Sequence, residues 1–183
     1  MDNRKVIEEI ASWLKPILIA VIVVLVSRQF IFLPTTVRGE SMMPSLQDGN
    51  RVILSKITHI DRFDEVVFHA TDSPDKYVKR VIGLPGDTIE MKDDTLYING
   101  EPYEEEYLEE LRSSQDQRAS FTEDFTLQEL TGKEKVPEGQ MFVLGDNRPN
   151  SKDSRVFGFV PMERIVGEVK MRYWPMKDIG FAL

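Results

Sequence analysis

The longest apolar run of the chain lies near its N-terminus. Between Trp13 and Leu33 the only interruptions are Lys15, Pro16 and a Ser-Arg-Gln cluster, and Ile17 to Val26 is apolar throughout. About 20 helical residues cross the hydrocarbon layer of a membrane. The run therefore predicts one transmembrane helix over residues 13–33.

Two other interpretations of this run fit less well. A cleavable secretory signal has a shorter apolar region and small residues at its cleavage site, whereas this run leads into Ser-Arg-Gln-Phe-Ile-Phe-Leu-Pro. A buried core helix is amphipathic, whereas this one is apolar on all sides. We therefore expect residues 1–12 to form a short segment before a membrane anchor, and residues 34–183 to form a separate domain after it.

Basic residues on the two sides of the apolar core indicate an orientation. Arg4, Lys5 and Lys15 precede the core, and Arg28 and Arg38 follow it. Basic residues are enriched on the cytoplasmic side of a span. This slight bias predicts a single-pass protein of the cell membrane with a cytoplasmic N-terminus and an extracytoplasmic domain.

After residue 33 the chain changes to short runs with apolar residues at alternate positions, which is the period of strands. Turn residues such as Leu-Pro-Gly-Asp and Asn-Gly separate the runs. Even spacing of this kind predicts a mainly β domain, either an antiparallel β-barrel or two sheets. The predicted strands span residues 35–38, 51–54, 65–69, 77–82, 88–91, 95–98, 141–144 and 165–171.

Residues 101–135 break the strand pattern. Residues 101–112 are rich in glutamate and predict a short helix, and the polar stretch after them is typical of an insertion or smaller subdomain. We interpret the glutamates as a solvated face without chemistry.

Lys79 occupies an unusual place in the strand predicted at residues 77–82. Alternation puts it on one face with Tyr77 and Val81, whereas Arg80 and its neighbours point to the other face. An amine in apolar surroundings has a lowered pKa and can serve as a general base near neutral pH. From the strand alone, a partly exposed lysine whose stem covers its neighbours is the more ordinary interpretation.

Composition narrows the chemistry that can accompany this lysine. The chain has no cysteine, which excludes disulfides, thiolate metal ligands and a cysteine nucleophile. Its two histidines, His59 and His69, have no partners at metal-ligand spacing, so we expect no metal. The net charge is −8, and all of the excess negative charge lies after residue 33. An acidic domain argues against nucleic-acid binding.

Ser41 is the candidate nucleophile. It lies in Gly39-Glu-Ser-Met-Met-Pro44, a composition typical of an irregular turn whose backbone can approach a substrate closely. It follows Leu33 by at most ~28 Å of extended chain, which keeps it near a bilayer surface. Taken alone, the same serine fits an ordinary turn hydrogen bond.

A third segment, Gly145 to Arg155, follows a predicted strand and alternates carboxylates, amides and guanidinium groups. One interpretation is a capped, salt-bridged loop. The other is a support that orients a buried lysine, because such a base needs hydrogen-bond partners.

Together these segments resemble the type I signal peptidases, especially the single-span form of Gram-positive bacteria. The long strings Tyr77-Val-Lys-Arg-Val-Ile-Gly-Leu-Pro-Gly-Asp87 and Gly145-Asp-Asn-Arg-Pro-Asn-Ser-Lys-Asp-Ser-Arg155 carry the resemblance, in the order the family has them. It implies a signal-peptidase-like (LexA-like) catalytic β domain. It also implies a serine endopeptidase that removes signal peptides from secretory preproteins and cuts after small residues of the Ala-x-Ala type.

The same resemblance assigns roles to individual residues. Ser41 is implied as nucleophile and Lys79 as general base, with no cofactor. Ser151 matches the serine that hydrogen-bonds the lysine amine, and Asp146 and Arg155 match positions of scaffolding ion pairs. The substrate-binding positions are implied at Val37, Met42, Tyr77 and Val78.

One position departs from part of the family. Gly39 stands where some members carry a serine hydroxyl that helps to hold the oxyanion. The Ser41 N–H is still expected to contribute, but the second donor stays open, either water or a backbone group near Gly39.

Two further functions are alternatives to this one. A self-cleaving repressor of the LexA type would carry a DNA-binding segment where this chain has an apolar run. A catalytically silent, membrane-anchored binding protein of the same fold is the other alternative, and the presence of both Ser41 and Lys79 argues against it. The partners expected on the signal-peptidase interpretation are secretory preproteins and the lipid bilayer.

Overall fold

The structure, a computed structural model, describes residues 3–114 and 120–181. In these residues a long N-terminal helix, α1 (Asn3–Phe30), is followed by a β-rich domain. The strands are β1 (Phe32–Thr36), β2 (Arg51–Ser55), β3 (Glu65–His69), β4 (Lys76–Gly83), β5 (Ile89–Lys92), β6 (Thr95–Ile98), β7 (Glu101–Tyr103), β8 (Phe125–Thr126), β9 (Gln140–Leu144), β10 (Val160–Pro161), β11 (Ile165–Trp174) and β12 (Gly180–Phe181). The short helices are α2 (Glu109–Ser114), α3 (Leu127–Thr131) and α4 (Ser154–Phe157), with 3-10 turns at Glu106–Leu108, Arg148–Asn150, Met162–Arg164 and Met176–Asp178.

The strands predicted from alternation are confirmed, with one shift at the first of them. That strand runs over Phe32–Thr36 rather than 35–38, and it pairs along its whole length with β2. The predicted helical span of residues 13–33 is therefore too long at its end, because α1 stops at Phe30 and Leu33 lies in a strand.

The strands form two antiparallel sheets. The larger has the order β1-β2-β11-β3-β4-β9-β10, with β12 on β11, and the smaller has the order β7-β6-β5-β8. Both are open sheets, so of the two predicted arrangements the two-sheet one is correct and the closed barrel is wrong. The mainly β, antiparallel fold class is confirmed.

Buried apolar side chains fall into three groups that meet along β4. One lies between the smaller sheet and β9, one lies beneath the turn that carries Ser41, and the third covers the opposite face of β3 and β4. Fully burying one large apolar side chain contributes about 1.5–3 kcal/mol. Both faces of β4 are therefore in the core, which fixes the direction of every side chain on that strand.

Residues 101–114 and 120–135 belong to the folded domain more closely than their composition indicates. The helix predicted over residues 101–112 is wrong in its first part, where β7 pairs with β6, and right in its second part, where α2 lies. Glu105 is 2% exposed, so the interpretation of all these glutamates as a solvated face is also wrong. Its carboxylate is buried because Arg148 neutralises it.

The side chains of Ser12 to Leu25 in α1 are exposed. Over the described residues, no helix combines the length and the apolarity that a membrane crossing requires.

The close approach of β11 to β2 yields a prediction about stability. A Cβ at residue 167 would lie 2.6 Å from the carbonyl oxygen of Ser55, so Gly167→Ala must push two paired strands apart. Overpacking of this kind costs about 1–3 kcal/mol. We expect urea unfolding to show that loss, and no comparable loss in Gly180→Ala, where a Cβ meets no atom within 4 Å. Equal stability of the two variants would contradict the packing described.

Candidate active site

Ser41 and Lys79 lie side by side although 38 residues separate them in the chain. The Nζ of Lys79 is 2.6 Å from the Oγ of Ser41 and 3.0 Å from the carbonyl oxygen of Val78. Lys79 is 3% exposed, so the interpretation of a partly exposed strand lysine is wrong. The alternation of β4 pointed it to the correct, apolar face.

The surroundings of Lys79 disfavour its charged form. Burial lowers the pKa of Lys79 from 10.5 to about 8, while the negative charges of Asp153 and Asp146 oppose that shift. The ring of Tyr77 is also close, with its centroid 5.6 Å from Nζ. A substantial fraction of neutral amine is therefore present at slightly alkaline pH, next to a hydroxyl that it can deprotonate.

The loop after β9 holds the turn that carries Ser41. The backbone N–H of Asn147 donates to the carbonyl oxygen of Ser41 at 3.0 Å. The side-chain amide of Asn147 donates to the carbonyl oxygen of Glu40 at 3.1 Å. Asn147 thus fixes two successive peptide groups of the turn, a role that sequence reasoning did not assign to it.

Ser151 does not make the hydrogen bond that the resemblance implied. Its Oγ is buried and has no hydrogen-bond partner among the described residues, whereas the Lys79 amine bonds Ser41 and a carbonyl oxygen instead. Ser151 packs against Gly145, where a Cβ would lie 2.1 Å from its Oγ and 2.5 Å from the Ser41 carbonyl oxygen. The implied Ser151–Lys79 hydrogen bond is therefore absent from this arrangement, although Ser151 lies in the same cluster.

Asp146 forms a buried ion pair, and Arg155 forms a partly buried one with a different partner. Asp146 accepts two hydrogen bonds from Arg80, at 3.0 and 2.7 Å, and Arg80 also pairs with Glu65 at 2.8 Å. Arg155 donates twice to Asp153, at 2.8 Å each. The sequence analysis missed Arg80, Glu65 and Asp153. The signal for Arg80 was its place between two apolar positions on the face of β4 opposite to Lys79.

A cleft of about 600 Å³ opens beside Ser41 and Lys79. Of the residues expected to contact substrate, Val37, Tyr77 and Val78 line it. Met42 does not, because it is 1% exposed and packs in the core beneath the turn.

Strand edges form the two walls of this cleft. β1 is paired on one side only, with β2. The part of β4 at Tyr77 to Lys79 pairs with β3, while its pairing with β9 begins at Arg80. Each wall therefore presents backbone groups that an extended chain can bond.

The Gly39 amide has a partner within the protein. Its N–H donates to Oδ1 of Asp48 at 2.8 Å. This bond removes the Gly39 N–H from the donors available to an oxyanion beside Ser41.

Comparisons with known proteins agree on one family. The family model described as "Signal peptidase, peptidase S26" matches residues 10–174. The chain is 52% identical to "Signal peptidase I" of Bacillus caldolyticus, over 91% of this chain and 92% of that protein. It is 40% identical to "Signal peptidase IB" of Staphylococcus aureus strain MRSA252, over 95% and 94% of the two chains.

A solved structure gives the same result. The chain is similar to a crystal structure of a signal peptidase I from Enterococcus faecalis V583, with 46% sequence identity and a TM-score of 0.60. The match covers 62% of this chain and 98% of that one.

Proposed function

Because the chain belongs to the signal peptidase family, peptidase S26, and is a serine endopeptidase that removes signal peptides, we propose that Ser41 is its nucleophile and Lys79 its general base. The observation that carries this proposal is the 2.6 Å separation of Ser41 Oγ and Lys79 Nζ, with Lys79 only 3% exposed. Serine-lysine pairs are a known variant of hydroxyl activation.

The proposed reaction needs only these two side chains and water. Neutral Lys79 accepts the Ser41 hydroxyl proton as Oγ attacks the scissile carbonyl carbon, and the resulting ammonium returns that proton to the departing amine of the mature protein. Water then attacks the acyl-enzyme with Lys79 again as base, which releases the signal peptide as a carboxylic acid and regenerates Ser41. No cofactor takes part.

The cleft suits an extended peptide with small side chains near the cut. An extended segment can hydrogen-bond to exposed strand edges and place alternate side chains in pockets, and here β1 and β4 supply the edges. Val37 and Val78 stand on the cleft wall beside Ser41, and we propose that they contact the small side chains that precede the cut. We propose cleavage after an Ala-x-Ala sequence.

We also propose that the apolar run that begins at Trp13 anchors the enzyme in the cell membrane, with residues 1–12 in the cytoplasm and the β domain outside. The support is the apolar run in the sequence together with its exposure, since Trp13 is 64% and Leu25 61% exposed. β1 begins two residues after α1 ends. One wall of the cleft therefore starts directly at the anchor, where a signal peptide leaves the lipid.

The alternative of a catalytically silent binding protein has less support. Binding alone needs neither a hydroxyl in contact with an amine nor a lysine whose pKa burial has lowered to about 8. Burying the amine costs free energy, because a buried amine loses hydration. Substrate binding alone gives no reason for that cost.

The dyad makes the first functional prediction. Ser41→Ala and Lys79→Met should each abolish cleavage of a preprotein bearing an Ala-x-Ala site, and the double variant should be no worse than either, because the two residues act as one unit. Lys79→Arg should also be inactive, since a guanidinium does not lose its proton. The assay measures the mass and N-terminus of the product with detergent-solubilised enzyme.

Lys92→Met serves as the matched control, because Lys92 is a strand lysine that is exposed and does not line the cleft. Circular dichroism must show that all variants are folded. Near wild-type turnover in Ser41→Ala, Lys79→Met or Lys79→Arg would show that the dyad is misassigned.

The proposed membrane anchor makes the second functional prediction. The chain has no cysteine, so single cysteines can be placed by Asn3→Cys and Lys133→Cys and labelled with a membrane-impermeant maleimide in protoplasts. We expect the second site to be labelled in intact cells and the first only after lysis. The reverse pattern, or release of the full chain from membranes at alkaline pH, would refute the anchor.

A further inference from the structure

We propose that Glu105 is a positioning residue for the nucleophile, acting through Arg148 and Gly145. The inference rests on the proposed role of Ser41. It gives the segment that follows β7 a role in positioning that residue. In this arrangement the carboxylate of Glu105 fixes the guanidinium of Arg148. That guanidinium in turn holds the loop after β9, which contacts the turn that carries Ser41.

The first link joins Glu105 to Arg148. Oε1 of Glu105 accepts from Nη2 of Arg148, and Oε2 accepts from Nη1 at 3.3 Å. Both side chains are buried, with relative exposures of 1% and 0%. A two-point contact between planar groups sets the orientation of the guanidinium as well as its place.

Two neighbours hold the carboxylate itself. The hydroxyl of Tyr107 donates to Oε1 of Glu105 at 2.6 Å, and Nη2 of Arg112 donates to Oε2 at 3.2 Å. Glu105 is thus fixed before it meets Arg148. It follows β7, the edge strand of the smaller sheet, so this sheet is the base of the support.

The second link joins Arg148 to the catalytic loop. Its Nε donates to the carbonyl oxygen of Gly145 at 3.0 Å, and its own carbonyl oxygen accepts from Arg155 at 2.7 Å. The guanidinium therefore bridges Glu105 and the first residue of the loop.

The third link is the contact of Gly145 with Ser41. A Cβ at residue 145 would lie 2.5 Å from the Ser41 carbonyl oxygen, so no side chain fits between the two backbones. Any shift of the Gly145 peptide moves Ser41 or opens a gap behind it. The same loop bonds that carbonyl oxygen through Asn147, so two residues of the loop, Gly145 and Asn147, hold Ser41 in place.

The consequence for catalysis is specific. Relaxing this support leaves the cleft walls in place, because its hydrogen bonds run from Glu105 through Arg148 to Gly145 and bypass β1 and the part of β4 that lines the cleft. It nevertheless loosens the position of Ser41 Oγ relative to Lys79. Misplacement of reacting groups by about 1 Å can cost about 100-fold in rate. We therefore expect a lower kcat and a nearly unchanged KM.

The test compares Glu105→Gln with Glu104→Gln, a matched change at the exposed residue next to it. With a soluble peptide substrate and enzyme shown to be folded at the assay temperature, we expect Glu105→Gln to lower kcat about ten-fold and to change KM by less than about two-fold. Glu104→Gln should behave as wild type. Burial and the charges of Asp153 and Asp146 set the pKa of Lys79, so the midpoint of the pH profile should not move.

A second variant keeps the proposal testable if Glu105→Gln does not fold. Tyr107→Phe removes the hydrogen bond that Tyr107 donates to Glu105 and the one that it accepts from Nη2 of Arg148 at 3.3 Å. It keeps the ring, whose centroid lies 4.1 Å from Cζ of Arg80, and should lower kcat by a smaller factor with KM unchanged.

Three results would overturn the proposal: wild-type kcat per folded molecule in the folded variants, a loss confined to KM, or a shifted pH midpoint. Failure here is separable from failure of the proposed dyad. If Ser41→Ala is inactive while Glu105→Gln is fully active, only the positioning role is wrong, whereas an active Ser41→Ala overturns both.

Discussion

The contact between a buried lysine amine and a serine hydroxyl is the interaction on which the rest of the structure depends. Burial lowers the pKa of Lys79 from 10.5 to about 8, a penalty on the charged form on the order of 3 kcal/mol. The fold must keep Lys79 buried despite this penalty and prevent its amine from reaching water. It does so by burying both faces of β4, so that the strand cannot rotate or slip without exposing its apolar side chains.

Charged groups around the dyad are arranged so that each buried charge has a partner. Arg80 lies between Glu65 and Asp146, Asp153 pairs with Arg155, and Arg148 pairs with Glu105. Replacing one partner leaves an uncompensated buried charge, which is far more costly than losing a surface pair. The network therefore holds the loop after β9 in one conformation. That loop contacts the backbone of Ser41, which connects the network to the reacting atoms.

The local features of this chain were predictable from its sequence, and the long-range ones were not. Alternation predicted β4 and the face of Lys79, and the Gly-x-Ser turn drew attention to Ser41. Alternation does not reveal which buried charge meets which partner, because Arg80 and Asp146 are 66 residues apart. Nothing in the sequence distinguishes Glu105 from Glu104 and Glu106, which flank it. Only the three-dimensional position of Arg148 makes Glu105 the buried residue of the three. The resemblance implied Ser151 as the partner of Lys79, yet its hydroxyl lies against Gly145.

The pH dependence of kcat/KM on a soluble peptide substrate tests the central claim most directly, since this ratio reports the ionisation of the free enzyme. If Lys79 is the base, kcat/KM rises with pH along one single-proton limb whose midpoint is near 8, where burial places the pKa of Lys79. That limb should be the same in His59→Gln and His69→Gln, because both histidines are exposed. An acidic limb with a midpoint at about 6.5, the usual pKa of histidine, that disappears in either variant would contradict the account.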